Sequence, residues 1–421
     1  MTKSTSIKIS WTLFSNLFYA ATQFFTLSLI AKLGGPEEVG GFTLAMAICS
    51  PIFLLLNVKL RSVVLTDFKQ ENTAIEFVKL RDFTNIASIF IVFVIILLID
   101  ISNYLKLAIL FLAISKVLEM KIDIYYGFYQ KQSRFDLVGK STILRGFLNL
   151  ILAFTSYFIF RNLVAVMLSF VISNFAIYCL YDRKASKLIE PSLQNNRKKN
   201  INYKKIYSLF ILALPLGIST VIGSLNTNFP RYIIEKELGL YELGIFSALT
   251  YLLVIGNTFL SAISQVVTPK LAYLSSQKSY RSFIKLLALI VLIGTIISLI
   301  MITIFYFFGE GILTILYTSE YAEYKDILMI IVCGMTFLYS SVFLGTAITA
   351  LRLFKVQPIV NGIGLLVTIL SSIVLINIYS LKGIAIALVL NYLIVSLCYL
   401  ICIISIFKKR GIQNVKSNSI L

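Results

Sequence analysis

The sequence predicts an all-α polytopic membrane protein with about twelve transmembrane helices, arranged as two six-helix bundles related by a parallel repeat. Three observations predict this class. Hydrophobic residues make up 58% of the chain and the mean hydropathy is +0.89, whereas a soluble domain is roughly 45–50% apolar. One long hydrophilic stretch, residues 183–205, divides the chain into two apolar halves. A sequence motif near the start of the first half recurs in the second.

The predicted spans are long apolar runs. A helix needs about 20 mostly apolar residues to cross the hydrocarbon core of a bilayer. Strands of a membrane barrel would instead alternate over segments of about 10 residues, and these runs do not alternate. The predicted spans are residues 9–31, 42–62, 83–99, 105–126, 141–160, 163–181, 206–229, 244–267, 283–308, 327–350, 357–378 and 384–407.

The repeated motif and the hydrophilic stretch together predict the domain organisation. Residues 33–47 read LGGPEEVGGFTLAMA and residues 237–251 read ELGLYELGIFSALTY, so that Leu-Gly, an acidic residue, Gly and Phe recur in order. We expect a first bundle over residues 1–182, a basic linker over 183–205, and a second bundle with a short tail over 206–421. Six spans in each half give both halves one orientation, which predicts a repeat axis along the membrane normal.

The distribution of positive charge predicts the orientation in the membrane. The chain has 38 Lys and Arg against 19 Asp and Glu, a net charge of +19. Most of the basic residues fall in the linker, near both termini and in every second loop, which argues against a nucleic-acid partner. Because Lys and Arg concentrate in cytoplasmic loops, we expect the linker and both termini to lie in the cytoplasm.

No catalytic or metal-binding motif is complete in this sequence. The chain contains no His, which removes the commonest general base and metal ligand. Residues 138–142, VGKST, end like a phosphate-binding loop, but Arg134 stands where that loop requires Gly. The outer loops, such as residues 309–325, are too short for a catalytic segment. The sequence therefore predicts a protein that is not an enzyme and has no cofactor.

Ionisable residues within the spans mark candidate functional positions, since charges at membrane depth are costly. Lys116, Glu119 and Asp123 follow one another at three and four residues and therefore share a helix face. They either line a transport pathway or neutralise one another structurally, with Asp123 reaching the interface. Arg145 precedes Gly146, which predicts room for a large group beside the guanidinium; an interfacial anchor is the alternative.

Polar stripes on two further spans predict surfaces that avoid lipid. One stripe contains Ser50, Asn57 and Arg61, and its counterpart in the second half contains Asn257, Ser261, Ser264 and Thr268. Hydrogen bonds between helices explain the uncharged members of these stripes as well as a cavity does.

The chain resembles the polysaccharide flippases, the O-antigen, capsule or teichoic-acid exporters of the multidrug/oligosaccharidyl-lipid/polysaccharide superfamily. The resemblance covers nearly the whole chain. It is carried by LGGPEEVGGFTLAMAICSP with the following KLRSVVLTD, by YYGFYQKQSRFDLVGKSTILRG, and by LGLYELGIFSALTY in the second half. It implies two six-helix bundles around a central cavity that moves an undecaprenyl-pyrophosphate-linked oligosaccharide from the inner to the outer leaflet by alternating access.

The resemblance also implies a cationic cavity that binds the pyrophosphate and sugar of this lipid. The candidate residues are Arg61, Lys116, Arg145, Arg231, Arg352, Asn57 and Asn257. Glu119 and Asp123 are candidates for coupling to a proton or sodium gradient. Membrane lipids, a polysaccharide polymerase and assembly proteins are the expected partners. The alternatives are a multidrug antiporter of the same superfamily, which would need an acidic cavity, and a membrane polysaccharide polymerase, which the short outer loops disfavour.

Overall fold

The computed structural model describes residues 3–67, 72–189, 202–353 and 355–418. By its internal contacts the chain divides into two compact units, Met1–Tyr232 and Ile233–Leu421. Residues 190–201, the centre of the predicted linker, lie outside the described residues.

The first unit is built from helices and one π-helical turn. Helix α1 packs on α5, α3 on α4, and α6 on both α4 and α5. Helix α3 begins at a capping box, in which the Thr73 hydroxyl accepts from the Glu76 amide and the Glu76 carboxylate accepts from the Thr73 amide. Its elements are α1 (Lys3–Asn57), α2 (Leu60–Thr66), α3 (Ala74–Leu98), α4 (Asn103–Lys131), α5 (Phe135–Phe160), α6 (Leu163–Ile177), the π-helical turn Tyr178–Asp182, α7 (Arg183–Ile189) and the first part of α8 (Tyr203–Leu238).

The second unit contains the end of α8 and the helices that follow it. Helix α12 is its centre and packs against α9, α10 and α13. The Asn391 side chain donates to the Gly364 carbonyl at 2.7 Å and to the Thr368 hydroxyl at 2.6 Å, which ties the two parts of α13 together. Its elements are α9 (Leu240–Ser276), α10 (Tyr280–Leu316), α11 (Ser319–Ala322), α12 (Lys325–Ala350) and α13 (Val356–Asn418).

The protein is an all-helical, multi-pass integral membrane protein. Among the described residues, eight helices are long and apolar enough to cross a bilayer. Helix α4 is not one of the eight, and it carries four charged residues between positions 116 and 123. The eight are Phe14–Thr66, Ala74–Leu98, Phe135–Phe160, Leu163–Ser186, Tyr203–Leu238, Tyr280–Leu316, Lys325–Ala350 and Val356–Phe407.

Two of these eight helices are kinked near their midpoints. In α1 the kink is at Gly35, whose φ of 77° and ψ of −175° are non-helical. Gly adopts a positive φ at no steric cost, and the following Pro36 has no N–H to continue the helical ladder. In α13 the kink is at Ser380, with φ 49° and ψ −131°.

The start of α8 packs closely against the end of α1. A Cβ atom on Gly217 would collide with the Leu55 carbonyl oxygen, and the Thr220 hydroxyl contacts the Leu54 carbonyl at 3.3 Å. The Tyr232 hydroxyl donates to the Ala47 carbonyl. These contacts explain why the first compact unit extends to Tyr232, beyond the linker that the sequence places between the two bundles.

The outward helix faces are apolar, as expected where lipid is the solvent. Phe90 and Leu98 of α3, Phe160 of α5 and Phe307 of α10 are all more than 60% exposed. An exposed apolar surface of this extent would be a liability in water. Lipid solvates these apolar side chains, so they do not need to be buried in the protein. The buried residues are concentrated on the opposite faces of these helices.

Candidate functional site

The first unit contains a cavity of about 420 Å³ lined mainly by polar and charged side chains. Helices α1, α2, α4 and α5 all contribute to its wall. The charged and polar lining residues are Thr12, Ser15, Asn16, Tyr19, Ser50, Asn57, Arg61, Lys116, Glu119, Asp123, Tyr126, Thr142 and Arg145. The structure thus brings together six of the nine residues that the sequence suggests for binding or ion coupling: Asn57, Arg61, Lys116, Glu119, Asp123 and Arg145.

Two of the three cations in the cavity are paired with carboxylates. The Lys116 ammonium contacts the Glu119 carboxylate at 2.8 Å within α4. Arg61 contacts Asp123 at 3.2 Å and donates to the Gln130 side-chain oxygen at 3.0 Å. All four charged side chains in these two pairs are between 22% and 29% exposed. Both carboxylates are therefore neutralised locally and add no net negative charge to the cavity.

Arg145 is the third cation, and none of the ion pairs formed by the described residues includes it. Its guanidinium carbon lies 4.7 Å from the centre of the Tyr19 ring, a cation–π distance. Its Nε is buried and has no hydrogen-bond partner in the described structure. Three cations against two carboxylates leave one positive charge in excess, and this charge resides on Arg145.

The position of Gly146 corrects one interpretation from the sequence. We expected this glycine to leave room for a large group beside Arg145, and that expectation is wrong. A Cβ atom at Gly146 would lie 2.8 Å from the Thr22 hydroxyl and 3.2 Å from the Tyr19 ring. Helix α1 therefore occupies the space. The glycine brings α1 close to α5, which places Tyr19 against the Arg145 guanidinium.

Three further candidates are not among the lining residues of this cavity. Arg231 is half-buried in α8 and donates to the Asn228 side-chain oxygen at 3.0 Å. Arg352 is exposed in the second unit, after α12, with a left-handed φ of 60°. Asn257 lies on α9 in the second unit, and its buried side-chain oxygen has no hydrogen-bond partner among the described residues.

Two aromatic residues in the cavity were not predicted from the sequence. Tyr19 supports Arg145, and the Tyr126 ring lies 5.3 Å from the Arg61 guanidinium carbon. Each tyrosine restricts the orientation of one arginine, so the two guanidinium groups are held in place before a ligand arrives. Tyr126 was visible only as part of the aromatic run YYGFY at positions 125–129, and such runs are common in membrane helices.

The lining of this cavity suits an anion with hydroxyl groups attached. Arginine provides a planar set of donors that matches phosphate oxygens, and Asn16, Ser50 and Asn57 supply hydrogen-bonding groups for a polyhydroxylated ligand. Among the described residues, no cluster of three or more His, Cys, Asp or Glu side chains is suited to hold a metal ion.

Two proteins of known structure share this fold. A structure of the lipid II flippase MurJ in an inward closed conformation matches with a TM-score of 0.77 at 15% identity, covering 94% of this chain and 87% of that protein. An inward-facing multidrug resistance MATE family transporter of the MOP superfamily matches with a TM-score of 0.75 at 11% identity, covering 94% and 96%. The chain thus has the MATE/MurJ-like fold.

Sequence similarity identifies the family. Residues 29–326 match the model of the polysaccharide biosynthesis protein family. The chain is also 35% identical over 386 residues to the capsular polysaccharide biosynthesis protein CapF of Staphylococcus aureus, a match that covers 91% of this chain and 96% of that protein. The chain belongs to the polysaccharide biosynthesis protein family.

Proposed function

We propose that this protein is a flippase that moves an undecaprenyl-pyrophosphate-linked oligosaccharide repeat from the inner to the outer leaflet of a bacterial cytoplasmic membrane. The single observation that carries the proposal is the cation Arg145 in a polar cavity where the other two cations are already paired. The lining residues therefore have one more positive than negative charge, which favours an anionic ligand. The pyrophosphate of a lipid-linked oligosaccharide is such an anion, and its sugars would meet the amide and hydroxyl groups of the wall.

Family membership supports the same substrate class. The name of the Staphylococcus aureus relative connects it with capsular polysaccharide, and the similar MurJ structure is that of a flippase for a lipid. We infer alternating access as the mechanism, in which the polar head group crosses inside the protein while its lipid tail stays in the bilayer. The oligosaccharide, the surrounding lipids, and a polymerase that joins the exported repeats would be its partners.

We further propose twelve membrane crossings with both termini in the cytoplasm. The kinks at Gly35 and Ser380 would divide α1 and α13 into two crossings each, and α4 and α9 would add two to the other six helices. At about 1.5 Å per residue, the 29 residues of α4 extend about 43 Å, which exceeds the roughly 30 Å hydrocarbon core. The second half of the chain would then form a repeat of the first bundle, with the same orientation in the membrane.

The cavity would open toward the cytoplasm in this arrangement. Arg61, Asp123 and Arg145 each lie within about three helical turns of a basic segment at the helix ends, and these segments contain Lys59, Lys131, Arg134 and Lys140. Positively charged segments that flank membrane spans remain on the cytoplasmic side. A lipid-linked oligosaccharide made on that side would therefore reach the cavity directly.

A multidrug antiporter is the alternative within the superfamily. It would need a negatively charged cavity for organic cations, and the only carboxylates among the lining residues, Glu119 and Asp123, each contact a basic side chain. The observed charge therefore favours the anionic lipid.

Reconstitution tests the proposal directly. The purified protein is placed in liposomes containing a fluorescent undecaprenyl-pyrophosphate-linked oligosaccharide, and the outer-leaflet fraction is measured with a membrane-impermeant quencher. We expect the protein to equilibrate the lipid between leaflets, whereas empty liposomes and the Arg145→Ala variant should not. Two results together would reject the flippase in favour of the antiporter. The lipid would move between leaflets at the same rate with and without protein, and the same preparation would export organic cations.

A further inference from the structure

Asp182 is a buried carboxylate that the transport cavity does not contain. It is the last residue of the π-helical turn Tyr178–Asp182 and is 0% exposed. Its Oδ2 accepts a hydrogen bond from the Ser141 hydroxyl at 2.8 Å. The Tyr129 hydroxyl donates to the Asp182 carbonyl at 2.7 Å and lies 3.4 Å from Oδ1. Single π-helical turns are rare in proteins and are frequent at functional sites.

A chain of hydroxyl groups connects this carboxylate with the cavity. The Tyr126 hydroxyl donates to the Ser141 oxygen at 2.8 Å, and Ser141 in turn donates to Asp182. Tyr126 lines the cavity, while Ser141 is 0% exposed. Each hydroxyl group donates one proton and accepts another. The three groups therefore form a continuous path for a proton from the cavity to a site that bulk water does not reach.

Titratable groups on α4, on α5 and on its own π-helical turn surround Asp182. Tyr126 and Tyr129 of α4, Arg145 of α5 and Tyr181 of its own turn all interact with it electrostatically. Helix α6, Leu163–Ile177, contains no titratable residue. From α7, Arg183 and Lys184 are exposed.

No ion pair among the described residues includes Asp182. Burial of a carboxylate without an ion partner is costly. In the described structure, Arg145 is the cation that interacts with Asp182 electrostatically from within the bundle. A bound proton is the other means of removing the buried negative charge.

We propose that Asp182 is a proton-binding site that exchanges protons with the transport cavity through Tyr126 and Ser141. A hydronium ion in the cavity gives a proton to the Tyr126 oxygen, which releases its own proton to the Ser141 oxygen. Ser141 then releases its proton to Oδ2 of Asp182. The products are a water molecule in the cavity and a neutral carboxylic acid; only O–H bonds form and break, and the reverse sequence returns the proton.

The same geometry links proton binding with the ligand, and this link rests on the proposed function. Arg145 faces the cavity and also interacts with Asp182. An anion bound to Arg145 offsets the positive charge that stabilises the Asp182 carboxylate. Anion binding and proton binding then favour each other, because coupling between two sites is reciprocal. The bound substrate would enter the transport cycle with one proton on Asp182.

Infrared difference spectroscopy of the purified full-length protein tests the site without any transport assay. The other carboxylates of the chain also gain a carbonyl band as the pH falls, so the Asp182 band is the part of this signal that the wild type has and Asp182→Asn lacks. We expect this component to be lost in Asp182→Asn and retained in Asp82→Asn, a control in which the lost carboxylate pairs with Lys121 at 3.1 Å and does not line the cavity. Identical pH-dependent carbonyl bands in the wild type and in Asp182→Asn would overturn the proposal.

Two more variants keep the test decisive if Asp182→Asn does not fold. Ser141→Ala removes the hydrogen bond to Oδ2 and should shift the frequency of the band. Tyr126→Phe should leave the band in place but slow its exchange into heavy water at least tenfold, since the path to the cavity is cut. An unshifted band in Ser141→Ala would overturn the assignment to Asp182, and unchanged exchange in Tyr126→Phe would overturn the path.

Inorganic pyrophosphate separates this inference from the proposed function. In weakly buffered solution, its binding to the wild-type protein should take up protons from the medium, and Asp182→Asn should bind it without uptake. Binding to the wild type without uptake would overturn the link between the two sites. No binding of pyrophosphate, with the pH-dependent band intact, would instead contradict the proposed function and leave the proton site standing.

Discussion

Gly35 and Gly239 have the same unusual backbone conformation at equivalent positions of the two halves. Gly35 has φ 77° and ψ −175°, and Gly239 has φ 94° and ψ −177°. Seven residues after each glycine stands a buried phenylalanine, Phe42 or Phe246. The acidic residue of the shared motif also behaves alike in both, since Glu38 accepts from Tyr104 at 2.9 Å and Glu242 accepts from Tyr324 at 3.2 Å. The two motifs thus build the same local turn.

The first prediction concerns this turn. Gly35→Ala forces an L side chain to adopt a positive φ with ψ near 180°, a region that essentially only glycine occupies and that costs about 1–3 kcal/mol, although no atom lies within 4 Å of the added Cβ. We expect a lower thermal unfolding temperature in detergent. The matched control is Gly311→Ala in α10, where the added Cβ also meets no atom but the helical backbone favours alanine. Equal unfolding temperatures for the two variants would show that the turn is not strained by a side chain.

Close packing of α8 against α1 gives the second prediction. Gly217→Ala should destabilise the protein by about 1–3 kcal/mol, because its methyl group would collide with the Leu55 carbonyl oxygen. Gly223→Ala on the same helix is the control, since nothing lies within 4 Å of its added Cβ. Thermal unfolding followed by size-exclusion chromatography measures both. If Gly217→Ala is as stable as Gly223→Ala, residues 203–232 do not pack on α1 as described.

Arg145 carries the third prediction. Arg145→Ala should abolish most surface polysaccharide in a strain that depends on this protein, at unchanged membrane abundance. Arg145→Lys should retain part of the export, since lysine keeps the charge but not the planar donor set. Arg134→Ala is the control, because Arg134 is exposed at the start of α5 and pairs with Asp136 at 2.8 Å. Normal export by Arg145→Ala at native abundance would contradict a role in substrate binding. It would assign Arg145 a structural role, stacked on Tyr19.

The fourth prediction separates structure from transport at the Lys116–Glu119 pair. Removing one partner alone leaves a charge unpaired and should lower membrane abundance. The exchanged variant, Lys116→Glu with Glu119→Lys, restores the pair but moves the positive charge by nearly one helical turn. We expect it to fold and to export poorly, as judged by membrane abundance and surface polysaccharide.

An equivalent exchange elsewhere provides the control for that pair. Lys121 and Asp82 contact each other at 3.1 Å and do not line the cavity. Lys121→Asp with Asp82→Lys should therefore keep both abundance and export. Full export by the exchanged Lys116–Glu119 variant would assign that pair a purely structural role.

Topology is the subject of the fifth prediction. The test inserts a reporter within residues 190–201, which lie outside the described part of the chain. We expect a fluorescent protein at this position to fluoresce, because it is in the cytoplasm. Alkaline phosphatase at the same position should be inactive. The physical reason is the concentration of Lys and Arg around the linker. The reverse pattern would place the basic loops outside and point the Arg61 end of the cavity away from the substrate's side.

Much of the fold was predictable because its signals are local in the chain. Apolar runs predict membrane helices, since each span must satisfy its own backbone hydrogen bonds in lipid. The Gly35 and Gly239 turns follow from a motif of about ten residues. The shared face of Lys116, Glu119 and Asp123 follows from helical spacing alone. These properties depend on neighbours in sequence, so composition and periodicity are sufficient to find them.

Tertiary structure alone decided which groups meet. Asp123 pairs with Arg61, 62 residues away, and Arg145 rests on Tyr19 of another helix. Asp182 stands among the basic residues that begin the linker in sequence, yet it is fully buried against Ser141. The rotation of each helix about its axis and its packing on its neighbours determine these contacts. A hydrophobic pattern that must face lipid on one side specifies that rotation only coarsely, which is why the sequence showed the charges but not their partners.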